Sequence, residues 1–223
     1  MAEKIVFISS KDKPFEEALI TYQYYSGFAV SQKQKSIQSL HEAIRDRFSG
    51  KKILEISTKS ENELGIRLSA FNLKCYCEGL NETRSIENIF QSSKVFENGG
   101  PYRSLLNVSP KDAKKDDRIR NSGRLIHFEL NGEKWALEPK TMFYDWTYIM
   151  ALKQNEELAN KLIEYDIFTD IEFNHKKSIN CQARSAAMFV SLERQGKLNE
   201  KTESPEAFRT LYDNKEAEQI SMF

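Results

Sequence analysis

A two-residue turn signal past the middle of the chain shows that the fold must contain paired β structure. Asn131 and Gly132 separate two β-prone runs, LIHFEL and EKWALE. Asn-Gly is a preferred pair for a type I′ turn, because both of its positions need positive φ, and this turn joins adjacent antiparallel strands. The sequence therefore predicts a β-hairpin centred on this pair.

Helical periodicity covers more of the chain than strand alternation does. Apolar residues recur at spacings of three and four between Ile37 and Phe48, after an expected N-cap at Ser36. Residues 143–165 and 183–195 show the same periodicity. We therefore predict a mainly α fold, of the α-rich α+β class.

The N-terminal region combines two predicted strands with a predicted helix. Lys4–Ser9 and Lys52–Ser57 are rich in β-branched residues, which favour strands. Between them, Phe15, Leu19 and Tyr22 fall on one face of a helix.

Changes in composition suggest three regions along the chain. We expect residues 1–56 to form an α/β extension and residues 57–195 to form the catalytic core. After Arg194 the sequence becomes polar and charged. We therefore expect residues 196–223 to form a helical appendage.

Composition limits the possible partners and cofactors. The 33 Lys and Arg residues balance 33 Asp and Glu residues, so any contact with nucleic acid needs a local patch. Cys75, Cys77 and Cys181 form no disulfide set or zinc pattern, and we expect neither a metal nor another cofactor. No apolar run approaches the ~18 residues that a membrane span needs, and we expect a cytoplasmic protein.

The segment Ser85–Phe96 carries the clearest candidate for chemistry. If it forms one helix, Glu87, Gln91 and Lys94 stand at i, i+4 and i+7 and share one stripe beside Phe90. Such a stripe is typical of a face in water, with Glu87 favourable in the first turn. The other interpretation is that the three polar groups line one wall of a site.

The sequence of this segment resembles the signature of the NADAR family of YbiA-like N-glycosidases, in which an acidic residue is followed by an aromatic, a Gln and a Lys. Upstream, the phrase LSAFNL resembles the family's Ser-Asn-Phe phrase, with Ser69 eighteen positions before Glu87. Downstream, FYDWTYIMALKQNEEL, FTDIE and Asn180 follow in the family's order. Among NADAR proteins, the sequence looks closest to the antitoxins that accompany DarT-type toxins.

The resemblance implies a multi-helical domain with short N-terminal strands and one inserted hairpin. It also implies an enzyme that cleaves the N-glycosidic bond between ADP-ribose and guanine in modified DNA, releasing ADP-ribose and opposing a DarT-type ADP-ribosyltransferase. Two alternatives stay open. One is an N-glycosidase of riboflavin-pathway intermediates, and the other is a non-catalytic module that binds ADP-ribose or the toxin.

The resemblance also suggests roles for individual residues. Glu87 is the candidate for the acid and base steps. Lys94 either binds the ribose and phosphates or attacks the anomeric carbon to form a Schiff base, and Lys59 is a competing lysine. Each aromatic candidate, taken individually, fits a core position better than a ligand contact. The predicted substrate-binding residues are Ser69, Phe71, Asn72, Phe90, Gln91, Asp145, Trp146, Glu172 and Asn180.

Overall fold

The computed structural model describes residues 1–77, 81–175 and 178–220, with side chains described to residue 213. The last three residues of the predicted C-terminal appendage therefore lie outside the described residues. The strands in these ranges are β1 (Ala2–Ile8), β2 (Glu16–Tyr22), β3 (Ile53–Glu55), β4 (Lys74–Cys77), β5 (Glu82–Ser85), β6 (Lys94–Phe96), β7 (Leu125–Leu130), β8 (Glu133–Trp135) and β9 (Ile167–Thr169).

The helices alternate with these strands along the chain. A 3-10 helix also spans Arg103–Asn107. The α-helices are α1 (Val30–Arg47), α2 (Glu63–Arg67), α3 (Ile86–Ser92), α4 (Pro110–Lys115), α5 (Asp117–Asn121), α6 (Met142–Gln154), α7 (Glu156–Leu162), α8 (Gln182–Arg194), α9 (Leu198–Lys201) and α10 (Pro205–Ile220).

The prediction of a mainly α fold is wrong, because the structure is a mixed α+β fold. It is 44% helical and 20% strand, with the strands in several sheets. The additional strands are mostly three or four residues long, and β6 and β9 pair with segments distant in the chain. A strand of that length shows too few alternating positions for its period to be recognised in the sequence.

The chain forms two compact units. The first comprises Met1–Ser69 and Asn155–Asn199. Its sheet has the order β2-β1-β9-β3, in which β1 is antiparallel to both neighbours and β3 is parallel to β9. Helix α1 packs against β2, and α8 packs against β1 and β9. Buried aliphatic side chains of the strands and α1 form the core.

The predicted helix containing Phe15, Leu19 and Tyr22 is wrong, because residues 16–22 form strand β2. Ala18, Ile20 and Tyr22 are buried, whereas Leu19 between them is 49% exposed. This period of two places the inward residues on the face that α1 covers, and β2 pairs with β1 over its full length. Pairing with the preceding strand has overridden the local helical pattern.

The helix predicted from Ile37 to Phe48 is confirmed, but it begins earlier than predicted. Ile37, Leu40 and Ile44 are buried, as the periodicity indicates. However, the helix begins at Val30, and Ser36 lies inside it, where its hydroxyl donates to the carbonyl oxygen of Gln32. Ser36 therefore does not cap the helix.

The second unit comprises Ala70–Gln154 and Glu200–Phe223. It contains the β4–β5 ladder and a sheet of order β6-β7-β8. The predicted hairpin is confirmed, since β7 and β8 pair around Asn131 and Gly132, whose φ values are 52° and 83°. Both φ values are positive, as a type I′ turn requires.

The periodic segment 143–165 forms two helices rather than one. Asn155 adopts φ −118° and ψ 67°, outside the helical region, and separates α6 from α7. The residues predicted to point inward, Ile149, Leu152, Leu158 and Leu162, are all buried. In the described part of the chain, no helix has both the length and the apolar character for a membrane crossing.

Candidate active site

Helix α3 holds the centre of the candidate site, and it is buried on all sides. Ser85 ends β5 and caps the helix, because its hydroxyl oxygen accepts from the backbone N–H of Asn88 over 3.1 Å. All seven residues of α3 are buried. The interpretation of Glu87 and Gln91 as parts of a solvated helix face is therefore wrong.

The predicted helix does not continue to Phe96. It ends at Ser92, and Lys94–Phe96 form strand β6, which pairs with β7. Gly100 lies against the start of this strand with a φ of 94°, and a Cβ there would lie 2.3 Å from the backbone oxygen of Lys94. Glycine is the residue that permits this close approach.

Glu87, Gln91 and Lys94 form one continuous line of hydrogen bonds. The Gln91 side-chain nitrogen donates to Glu87 Oε1 over 2.8 Å, and the Gln91 side-chain oxygen accepts from Lys94 Nζ over 2.8 Å. Glu87 and Gln91 are 6% and 5% exposed. The amide therefore links an ammonium and a carboxylate away from bulk water.

The surroundings of Lys94 make its ammonium group easier to deprotonate. Burial lowers the pKa of Lys94 from 10.5 to about 8, with a smaller lowering from the positive charge of Lys114. The Glu87 carboxylate opposes this change but does not cancel it. At pH 7, a pKa of 8 leaves roughly a tenth of the lysine as free amine. Such an amine is a competent nucleophile.

Aromatic rings pack next to this polar line. Lys94 Nζ lies 4.6 Å from the ring centre of Phe90. The Phe90 ring lies 5.3 Å from those of Phe128 and Tyr144, and Phe128 stacks on Phe143 at 4.5 Å. Phe90 therefore packs in an aromatic core and also lies next to Lys94.

The turn before β4 carries two further predicted residues to the start of α3. The backbone N–H of Glu87 donates to the carbonyl oxygen of Ala70 over 2.9 Å. Phe71 and Asn72 follow in this turn, with Phe71 half-buried and Asn72 exposed. Because Ala70 is hydrogen-bonded to the backbone of Glu87, the next two residues, Phe71 and Asn72, lie near the start of α3.

Lys114 belongs to this site, although the sequence did not identify it. Its Nζ lies 5.4 Å from the ring centre of Phe71, and α4 packs on α3. A signal was present, because Ser109 and Pro110 form a helix start in which the Ser109 hydroxyl accepts from Asp112 N–H. This start would have placed Lys114 on a helix.

Asp145 and Trp146 have partners in the core of the second unit. Asp145 is fully buried and its Oδ2 accepts from the hydroxyl of Tyr212 over 2.7 Å, which ties α6 to α10. Trp146 packs between Trp135 and Phe208, at 5.4 Å from each ring.

The remaining predicted residues belong to the first unit. Ser69 is buried and its hydroxyl donates to the carbonyl oxygen of Ile66, while Lys59 lies half-buried in the turn after β3. Glu172 is exposed, and Asn180 is half-buried ahead of α8.

A buried ionisable cluster in the first unit was not identified from the sequence. Lys4 Nζ donates to the carbonyl oxygens of Asp170, Ile171 and Phe173, and Glu55 accepts from Thr169 and from Ile171 N–H. Burial, and then the charge of Glu55, raises the pKa of Asp170 from 3.8 to about 7. A carboxyl group of that pKa can exchange protons at neutral pH.

The sequence comparison supplies the family. A family model described as DarT1-associated NADAR antitoxin matches residues 2–221. The chain belongs to this NADAR family. The match covers both units and every residue of the candidate site, and it confirms the resemblance to the DarT-associated NADAR proteins. Among curated proteins, none matches the chain. Within the described residues, no group of three or more His, Cys, Asp or Glu side chains is placed to hold a metal ion.

Proposed function

We propose that this NADAR protein is an ADP-ribosyl glycohydrolase, which hydrolyses the N-glycosidic bond between ADP-ribose and guanine in DNA and so reverses the action of a DarT-type toxin. NADAR proteins are N-glycosidases, and the family description names an antitoxin. The observation that carries the proposal is the buried line from Glu87 through Gln91 to Lys94.

The first proposed step is an attack by Lys94. The neutral amine of Lys94 forms a bond to the anomeric carbon of the ribose, and the bond from that carbon to the guanine nitrogen breaks. The proton that the attacking amine loses replaces the sugar on guanine, with the Glu87 carboxylate as the carrier between them. The lowered pKa of Lys94 supports this step, because only the unprotonated amine has a free electron pair.

The second proposed step releases the sugar with one water molecule. Opening of the ribose ring, with a proton from solvent added to the ring oxygen, converts the Lys94 adduct into a protonated imine. Water then adds to the same carbon and gives a proton to Glu87, which passes it to the lysine nitrogen as the carbon–nitrogen bond breaks. Closure of the sugar ring releases the proton from the ring oxygen. The products are ADP-ribose and the free amine, so the balance is hydrolysis of one N-glycosidic bond.

Other side chains of the second unit suit the remainder of the substrate. Phe71 and Phe90 supply aromatic surfaces beside the polar line, and aromatic rings stack on bases and sugars. Lys114 offers an exposed ammonium group for a phosphate of ADP-ribose. Asn72 in the neighbouring turn offers an amide to ribose hydroxyls.

The proposal is tested with an oligonucleotide that carries ADP-ribose on a single guanine. We expect the purified protein to release ADP-ribose and restore the unmodified oligonucleotide, as measured by mass spectrometry. Riboflavin-pathway intermediates serve as competing substrates in the same assay. Cleavage of those small molecules without release from the oligonucleotide would contradict the proposal.

A further inference from the structure

The segment between β2 and α1 displays a group of aromatic side chains to solvent. Tyr24 and Tyr25 are each 39% exposed, Phe28 is fully exposed and Val30 is 47% exposed. Every residue from 23 to 31 is exposed. Exposed apolar groups clustered within so few residues indicate a surface that binds something. We refer to residues 23–31 as the aromatic segment.

The backbone of the aromatic segment is held in place, although its rings are exposed. The Tyr25 N–H donates to Ser36 Oγ over 2.9 Å, and the Tyr25 carbonyl oxygen lies 3.3 Å from the same hydroxyl oxygen. The Gln23 N–H donates to Ser39 Oγ over 3.1 Å. Both serines lie on α1, so the helix holds the backbone of Gln23 and Tyr25 in place. Such preorganisation reduces the entropy that binding costs.

The charge of this region favours a polyanion over a protein surface of mixed charge. No Asp or Glu occurs between Glu17 and Glu42, whereas Lys33 and Lys35 fall within that stretch. Its other polar residues are neutral amides, hydroxyls and His41. From other segments, Glu172 pairs with Lys33 and Glu61 accepts from Gln38, so the exposed Lys35 is the lysine of this stretch whose charge neither carboxylate contacts.

The aromatic segment also adjoins a turn that the sequence implicates in substrate binding. Lys33 Nζ lies 3.5 Å from Glu172 Oε1, and it lies 5.7 Å from the ring centre of Tyr24. Both contacts are within the first unit. One end of the aromatic segment is therefore next to the turn after β9 that carries Glu172.

We infer that the aromatic segment binds the single-stranded DNA that flanks the modified guanine, with Phe28 stacking on a neighbouring base. Proteins that bind single strands without sequence preference combine aromatic stacking surfaces with positively charged side chains that contact the backbone. Here the exposed rings lie close in sequence to the exposed Lys35. Every base offers a π face, so this contact extends recognition beyond the ADP-ribose group. The inference rests on the proposed function, since it assumes a nucleic-acid substrate.

The test measures binding of a short fluorescein-labelled single-stranded oligonucleotide, without modification, by fluorescence anisotropy. We expect Phe28→Ala to raise Kd about tenfold, the loss expected from one stacked base. Phe28→Trp should retain the wild-type affinity, whereas Phe28→Leu should lose it, because leucine has no π face. Leu19→Ala, at another exposed apolar residue of the first unit, is the matched control and should change nothing.

A kinetic comparison separates this inference from the proposed function. On the ADP-ribosylated oligonucleotide, Phe28→Ala should lower kcat/KM about tenfold, and on ADP-ribosylated guanosine it should leave kcat/KM unchanged. If the wild type binds DNA through Phe28 but releases no ADP-ribose, the proposed function fails and this inference stands. If release proceeds and Phe28→Ala alters neither Kd nor kcat/KM, this inference fails. If Phe28→Ala weakened binding to the toxin but not binding to the oligonucleotide, this inference would also fail.

Discussion

The side-chain nitrogen of Gln91 lies 2.8 Å from Glu87 Oε1, one helical turn away and sealed from solvent. This bond fixes the orientation of the amide, so its oxygen faces Lys94. Gln91 thus aligns a carboxylate and an amine without placing them in a direct ion pair. A direct pair would hold the amine in its charged form.

We expect Gln91→Glu to move the pH dependence of the reaction upward. A carboxylate beside Lys94 would raise the pKa of the lysine above its present value of about 8. In the wild type, kcat should rise with pH up to about 8 and then level off. In Gln91→Glu, the rise should continue to higher pH, as a series of initial rates would show. Superimposable profiles would argue against an amine nucleophile at Lys94.

Borohydride reduction should identify the lysine that forms an imine with the sugar. We expect reduction during turnover to attach the sugar to Lys94 and inactivate the enzyme, with the site read by peptide mapping. Lys59→Arg should still be trapped, and Lys94→Arg should not. Label on Lys59 would transfer the nucleophilic role to that residue.

The hairpin at Asn131 and Gly132 could be predicted from the sequence because its determinants are local. Two residues with positive φ define the turn, and β-prone runs flank it on both sides. The inward faces of α1 and α8 could likewise be predicted, because they follow from the local spacing of apolar residues. Strand β9 could not be predicted, since its pairing with β1 and β3 joins residues far apart in the chain. Strand β2 was missed because the spacing of Phe15, Leu19 and Tyr22 also fits one face of a helix.

The sequence grouped Glu87, Gln91 and Lys94 together, but it did not predict the geometry that joins them. The order of Glu87, Gln91 and Lys94 indicated one stripe of a single helix, whereas Lys94 reaches Gln91 from strand β6. The burial of α3 depends on the elements that pack around it, and a helical wheel shows only the helix itself. For the same reason, the lowered pKa of Lys94 and the contribution of Lys114 emerge only from the packed structure.

We expect Asp170→Asn to change how stability depends on pH. The folded-state pKa of Asp170 is about 7 against 3.8 unfolded, so between these values the folded protein holds a proton that the unfolded chain has released. The stabilisation is present at low pH and is lost as pH rises toward 7, at up to about 1.4 kcal/mol per pH unit.

Urea denaturation at several pH values would check this expectation. The free energy of unfolding of the wild type, relative to Asp170→Asn, should fall between about pH 4 and pH 7. Glu55 and Lys4 lie in the same cluster, so the comparison uses the difference between the two proteins. Parallel curves would show that Asp170 ionises normally in the folded state.

Tyr212→Phe should separate the structural and substrate-binding roles considered for Asp145. The substitution removes one donor from a fully buried carboxyl group and should lower the free energy of unfolding by about 2 kcal/mol. We expect the rate of ADP-ribose release per folded molecule to stay unchanged. A lower rate with unaltered stability would instead support substrate binding by Asp145.

The most direct test of the account is the single-turnover rate of ADP-ribose release from the guanine-modified oligonucleotide by Glu87→Gln and Lys94→Met. Lys134→Met, at an exposed lysine on β8, serves as the control. We expect each site variant to lose at least about a hundredfold in rate while retaining the wild-type circular dichroism spectrum. The control should match the wild type. Full activity in a folded Glu87→Gln variant would contradict the account.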